Sequence, residues 1–199
     1  MPLLHNGDAF PRLTLAKVGG GTLNLPDDLK GSFGVILIYR GAWCPYCNAQ
    51  LAAFERLSAK LADCGVKAAA FSVDDEATTA ALVDKHRIHY PVGFGVADAD
   101  AVAAATGAYV NAEPRYLQST GFVLAPDGKI VTAVYSSGAI GRLVPEDVAG
   151  LSPTLSRRRI RLSNRRAEFA LSPRRERRSA ARGRCFGRRG PQPSQRNPE

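Results

Sequence analysis

The chain has 199 residues, 45% of them apolar, which allows one domain of ordinary size with a real core and fits a soluble globular protein. No apolar run reaches the ~18–20 residues of a membrane span. The net charge of +9 is not a whole-chain property: residues 1–150 carry six Lys and six Arg against fifteen acids, a net of −3. Residues 151–199 carry fifteen Arg, no Lys and three Glu, a net of +12.

The opening "MPLLHNGDAFPRL" lacks the basic head, apolar middle and small-residue cleavage site of a secretory signal, so a cytoplasmic address is expected. "RLTLAKV" (Arg12–Val18) reads as a strand and "GGGT" as a turn. The turn precedes no helix and carries no Lys-Ser/Thr, so it is not a phosphate loop. "GVILIYR" (Gly34–Arg40) is a continuous β-branched run, as expected of a central strand buried on both faces. From Pro45 to Asp63, apolar residues at Leu51, Phe54, Leu57 and Leu61 predict one amphipathic helix, with Gly65 as its stop signal.

"VKAAAFSV" (Val66–Val73) predicts the next strand. Asp74–Ile88 predicts a helix with an acidic first turn and a basic last turn, matching the helix dipole. "YPVGFGV" fits a short strand, and Asp98–Thr106 a short helix ended by Gly107. Thr120–Ser137 predicts a hairpin turning at Pro126-Asp127-Gly128. Pro145–Leu151 opens a helix with Pro in its first turn. The order β–α–β–α, hairpin, helix argues for an α/β fold, a three-layer α/β/α sandwich with a mixed central sheet.

That order puts "AWCPYC" at the carboxyl end of a central strand and on the first turn of a helix, where open α/β sheets concentrate chemistry. First-turn N–H groups lack intrahelical partners and carry partial positive charge. A thiolate at Cys44 is stabilised there, and its pKa falls from ~8.5. Cys47, three residues on, lies roughly above it and can close a disulfide. Pro45 holds the helix start in shape, while Trp43 and Tyr46 shield the pair and offer a surface to a thiol partner. The arrangement suits an attacking Cys44 and a resolving Cys47.

The competing readings are two inert core cysteines or half of a zinc site. Zinc needs about four ligands; Cys64 stands alone, and His86 and His89 are separated from the pair by a strand and a helix. The histidines read as surface or capping residues and Cys64 as a small packed side chain. No metal, flavin or nucleotide is required.

The segments "NGDAFPRLTL", "FSVDDEATTAALVDKHRIHYPVGFG" and "STGFVLAPDGKI", around "AWCPYC", resemble the thioredoxin-fold superfamily. Within it they resemble the alkyl hydroperoxide reductase/thiol-specific antioxidant (peroxiredoxin-like) family, over roughly residues 6–151. The resemblance implies a thiol-dependent antioxidant oxidoreductase. It would reduce hydrogen peroxide or alkyl hydroperoxides through a Cys44/Cys47 dithiol–disulfide cycle, with a thioredoxin- or glutathione-type donor and a homodimer among its partners.

The chain departs from that family's pattern at Gly41 and Leu37, where a Thr or Ser and a Pro precede the peroxidatic cysteine. It departs again at Gln118-Ser119-Thr120-Gly121, where an Arg stands before the Phe-Val-Leu strand. Neither Ser119 nor Thr120 is the cis-proline of thioredoxins. Arg40 is the candidate to substitute by charge and Thr120 by hydrogen bonding. Two alternatives stay open: a thioredoxin/glutaredoxin-like protein disulfide reductase, and a redox-inactive binding module whose basic tail contacts nucleic acid.

From Ser152 the composition turns to Arg, Ser, Pro and Gly without apolar periodicity. Such a segment cannot bury enough surface to offset its chain entropy, so residues 152–199 are expected to be a disordered tail beside the 1–151 redox domain. Arg-only basicity is also what a GC-rich gene yields when read out of frame, and a frameshifted or extended end is the favoured account. Few aromatics interleave the arginines, which argues against a nucleic-acid site. Cys185 is incidental on this reading.

Overall fold

The computed structural model describes residues 3–151; the expectations for the 152–199 tail lie outside them. Nine strands and five helices follow one another in these residues. β1 (Leu13–Lys17) and β2 (Thr22–Leu25) form an antiparallel pair across the glycine turn, followed by a short 3-10 turn at Asp27–Leu29. β3 (Phe33–Ile38) leads into α1 (Pro45–Arg56) and α2 (Ser58–Asp63). β4 (Val66–Phe71), α3 (Glu76–His86), β5 (Val92–Phe94) and α4 (Ala99–Thr106) come next. β6 (Val110–Asn111), β7 (Tyr116–Leu117), β8 (Thr120–Leu124) and β9 (Ile130–Tyr135) follow, and residues 145–151 are helical, here α5.

Seven strands make one mixed sheet in the order β2-β1-β5-β4-β3-β8-β9, while β6 and β7 pair separately. β3 runs parallel to β4 and antiparallel to β8, so it lies inside the sheet with both ladder edges satisfied. All six of its residues are buried, which is why "FGVILI" is apolar throughout rather than alternating. Alternation is nonetheless present in what each side chain touches. Val35, Leu37 and Tyr39 pack with Leu51 and Phe54 of α1, Leu82 of α3 and Val148 of α5. Ile36 and Ile38 point to the other face, against Phe10, Val102 and Phe122. Two helical layers therefore sandwich the sheet, and both cysteines belong to the first of the two clusters.

The predicted single helix over 45–63 is two helices. Leu57 leaves helical geometry (φ −99°, ψ 8°) and serves as both the end of α1 and the start of α2. The apolar spacing fixed the buried face correctly, with Leu51, Phe54 and Leu61 all inside. Periodicity reports a face, not the dihedral of one residue on it. β2, β6 and β7 were not foreseen either, since two to four residues carry too little pattern. The other ends follow local chemistry. Asp75 and Asp98 cap α3 and α4 by accepting the N–H groups of Thr78 and Ala101, and Gly107 ends α4 in the left-handed conformation.

Candidate active site

The site is built where β3 stops. After Ile38 the chain passes through Tyr39 and Arg40 and turns at Gly41, whose φ of 149° disfavours any other residue. The turn is held from two sides: the Ala42 N–H donates to a carboxylate oxygen of Asp74 (2.7 Å), beyond β4, and the side-chain amide of Asn48 in α1 donates to the Ala42 carbonyl (3.0 Å). Cys44 is the N-cap of α1, in extended conformation (φ −86°, ψ 112°), with Pro45 at the first helical position. Its sulfur accepts the backbone N–H of Cys47 (3.4 Å), as a capping hydroxyl would. Cys47 Sγ in turn accepts the Arg40 backbone N–H (3.4 Å). Neither cysteine is solvent-exposed.

The two thiols are driven apart in acidity. Burial opposes ionisation of Cys44, but the Cys47 thiol, the Arg142 guanidinium and the Cys47 N–H together outweigh it and hold Cys44 below the usual thiol range. Burial, reinforced by the neighbouring Cys44 sulfur, pushes Cys47 up to about 11. Cys44 is thus the more acidic thiol of the pair. A nucleophile and a proton-bearing resolving partner need that asymmetry.

Arg40 is near Cys44 but not tightly on it, its Nη1 lying 4.0 Å from the sulfur. Its guanidinium donates to the Tyr116 hydroxyl (2.7 Å) and sits over the rings of Trp43 (4.8 Å) and Tyr116 (5.1 Å), which themselves meet edge-on. Trp43 and Tyr46 are 56% and 53% exposed, so together they present an aromatic rim beside the dithiol. Thr120 is buried opposite Ile38, and its hydroxyl donates to the Gln118 carbonyl (3.3 Å) rather than to a cysteine.

Three contributors were missed from sequence. Arg142, 98 residues from Cys44, places Nη2 3.2 Å from Cys47 Sγ and 3.5 Å from Cys44 Sγ. It is the lone charge between Lys129 and Glu146, which is the one signal the sequence offered. Tyr116 arrives on β7, and Asp74 anchors the turn from beyond β4. No group of three or more His, Cys, Asp or Glu able to hold a metal occurs among the described residues. No described helix is long and apolar enough to cross a membrane.

A mixed sheet between helical layers, with two buried cysteines three residues apart at the start of the helix that follows a central strand, defines a protein of the thioredoxin fold. The AhpC/TSA family model matches residues 6–133, and the chain belongs to that family. It is 30% identical over 151 residues to a peroxiredoxin of Treponema denticola, covering 74% of this chain and 71% of that one. Identity to a peroxiredoxin of Chlorobaculum tepidum is also 30%, over 149 residues, 73% of this chain and 69% of the other. Among solved structures, Mycobacterium tuberculosis AhpC superposes with a TM-score of 0.65 at 21% identity, covering 78% of this chain and 94% of that one. This last likeness speaks to the fold alone.

Proposed function

We propose that the chain reduces hydrogen peroxide or an alkyl hydroperoxide through a Cys44/Cys47 cycle. Thiol-dependent peroxide reduction is the activity of the enzymes it is related to, and this membership favours it over the disulfide-reductase and inert-module readings. The observation that carries the assignment of roles is the opposed acidity of the two buried sulfurs. Cys44 thiolate attacks one peroxide oxygen: the S–O bond forms as the O–O bond breaks, giving Cys44 sulfenic acid and, after protonation, water or alcohol. The Cys47 thiol, once deprotonated, displaces hydroxide from that sulfur, giving the disulfide and water.

An external dithiol of thioredoxin or glutathione type then reduces the disulfide, docking on the exposed Trp43–Tyr46 rim. A reducing, cytoplasmic setting and a homodimer belong to the same reading. Cys44 is buried beneath the exposed Trp43 and Tyr46, so substrate approaches it past these side chains. The test is stopped-flow fluorescence of Trp43, the single tryptophan. Reduced protein mixed with hydrogen peroxide is expected to give a fast change that is lost in Cys44→Ser. A slow response to peroxide beside rapid oxidation by a small disulfide would overturn the reading in favour of a disulfide reductase.

A further inference from the structure

A cavity opens at the far end of α1 from the cysteines. Cys44 caps the start of this helix, and Phe54 lies about 15 Å further along its axis. There α1 stops at Leu57, which leaves helical geometry, and α2 departs from it. The cavity beside this kink has a volume of about 310 Å³. Small-molecule sites run from about 300 to about 1,000 Å³, so it suits a compact ligand.

Its floor is apolar and its walls are fixed in place. Leu29, Phe54, Leu61 and Val66 line it, and all four are buried. One wall is the segment that precedes β5, which is clamped to α1. The His89 N–H donates to Glu55 Oε2 (2.9 Å), and His89 Nδ1 meets Glu55 Oε1 at 2.7 Å. The Tyr90 hydroxyl donates to the Leu51 carbonyl (3.0 Å). Pro91, next in the chain, accepts the Ala70 N–H on its carbonyl (3.0 Å). A ligand therefore meets a preformed hollow and has little ordering of the wall to offset.

The polar groups at the mouth are unequal in what they have left to give. Lys67 is exposed, and its ammonium has no carboxylate within ion-pair distance among the described residues. The Ser58 hydroxyl, also on the lining, makes no hydrogen bond among the described residues. Asp28, the carboxylate on the lining, already accepts the Asn24 N–H (2.8 Å), and His89 is engaged with Glu55. An unspent cation and an unspent hydroxyl donor thus stand over an apolar floor. A bare inorganic anion would leave that floor wet, and a neutral hydrocarbon would leave Lys67 unused.

We propose that this cavity is a binding site for a small apolar carboxylate, an arylalkanoate or a branched alkanoate. Its hydrocarbon body lies on Phe54, Leu61 and Val66, and its carboxylate is held by Lys67 and Ser58. The site is separate from the dithiol and holds whichever oxidant Cys44 meets.

The test uses the isotope-labelled full chain, titrated with phenylpropionate and with its neutral amide at about pH 7, where the carboxylate is ionised. Amide chemical shifts locate the ligand and give its Kd. Phenylpropionate is expected to bind with a Kd of about 1 mM or tighter, with shifts gathered around Phe54, Lys67 and Tyr90. The neutral amide, and phenylpropionate with Lys67→Met, should each bind about tenfold more weakly, and Ser58→Ala should weaken binding by about threefold. Ala68 lines the cavity and packs against the same cluster as Phe54 and Val66. Ala68→Leu fills the hollow and should abolish binding. Lys67→Met should keep the parental peroxide rate within about twofold, since Lys67 stands on the first turn of β4 away from the cysteines.

Absence of binding up to about 10 mM phenylpropionate overturns the inference. So does equal binding of the neutral amide, which would leave Lys67 without a role. Binding that survives Lys67→Met but is lost in Arg142→Met places the carboxylate at the cysteines and overturns it as well. Apparent affinity that falls as the protein concentration rises would show a second copy of the chain seated in the hollow, against a small-molecule site. None of these outcomes bears on the Cys44/Cys47 cycle.

Discussion

Gly121→Ala tests whether the packing of residues 137–144, between β9 and α5, governs the chemistry of Cys44, without touching any polar group of the site. A Cβ at position 121 would lie 2.7 Å from Leu143 Cδ1 and 2.9 Å from its Cγ. Carbon atoms rest ~3.5–4.0 Å apart, so Leu143 has to withdraw by roughly 1 Å. Because the Cγ is crowded as well as the tip, rotating a terminal methyl does not relieve the contact. Arg142, the adjacent residue, then retreats from sulfurs that it meets at 3.2 and 3.5 Å.

With an effective dielectric of ~20, moving the guanidinium from about 3.5 to about 4.5 Å weakens its attraction for a Cys44 thiolate by about 1 kcal/mol. That corresponds to a rise of about 0.7 in the thiol pKa. Overpacking separately costs about 1–3 kcal/mol of stability. Thiolate absorbance in a Cys47→Ser background and urea unfolding read the two effects independently. A Gly121→Ala protein that loses stability but keeps the parental Cys44 titration would refute the coupling, because Leu143 would then have moved without Arg142.

Cys47→Ser should still give the first fluorescence change with peroxide but should not turn over with a dithiol donor; multiple turnovers by this variant would remove Cys47 as the resolving thiol. Gly41→Thr restores the hydroxyl that the family pattern places there, yet it should slow the peroxide step, because its Cβ collides with the Trp43 indole; an accelerated reaction would show that the turn adapts. The Cys47 thiol has its pKa raised from 9.0 to about 11, so between these values the unfolded chain has released a proton that the folded one still holds. The folded state binds more protons there, and stability falls as pH rises. The urea midpoint of the reduced protein should therefore decline from pH 9 upward, and the early part of that decline, below the ordinary tyrosine value of 10.0, should vanish in Cys47→Ser. The same loss in both proteins would place its origin elsewhere.

The two cysteines and the residues around them are close in sequence, and for that reason their placement was legible. A continuous β-branched run predicts an interior strand, Pro45 and the 51–54–61 spacing predict the helix after it, and the junction between them fixes where Cys44 and Cys47 stand. The structure places Cys44 at the N-cap and Cys47 in the first turn, as local geometry requires. Helix dipole, capping and thiol spacing act over one turn of chain, so a short stretch of sequence carries them whole.

The kink at Leu57 escaped that reading, as did the short strand that delivers Tyr116. So did the ligation of the site by Arg142, which depends on contacts across 98 residues. Apart from being the lone charge between Lys129 and Glu146, nothing in "SGAIGRL" marks its arginine as different from those exposed elsewhere. Its role arises because Leu143 fits over Gly121 and Gln50 reaches the Leu143 carbonyl, so that folding brings the end of β9 over the start of α1. Sequence determined that the Cys44 sulfur stands at the head of α1 with Cys47 one turn on, through bonds and dipoles a few residues long. Which charge faces that sulfur was decided by side-chain packing between distant elements, and a linear pattern does not encode it.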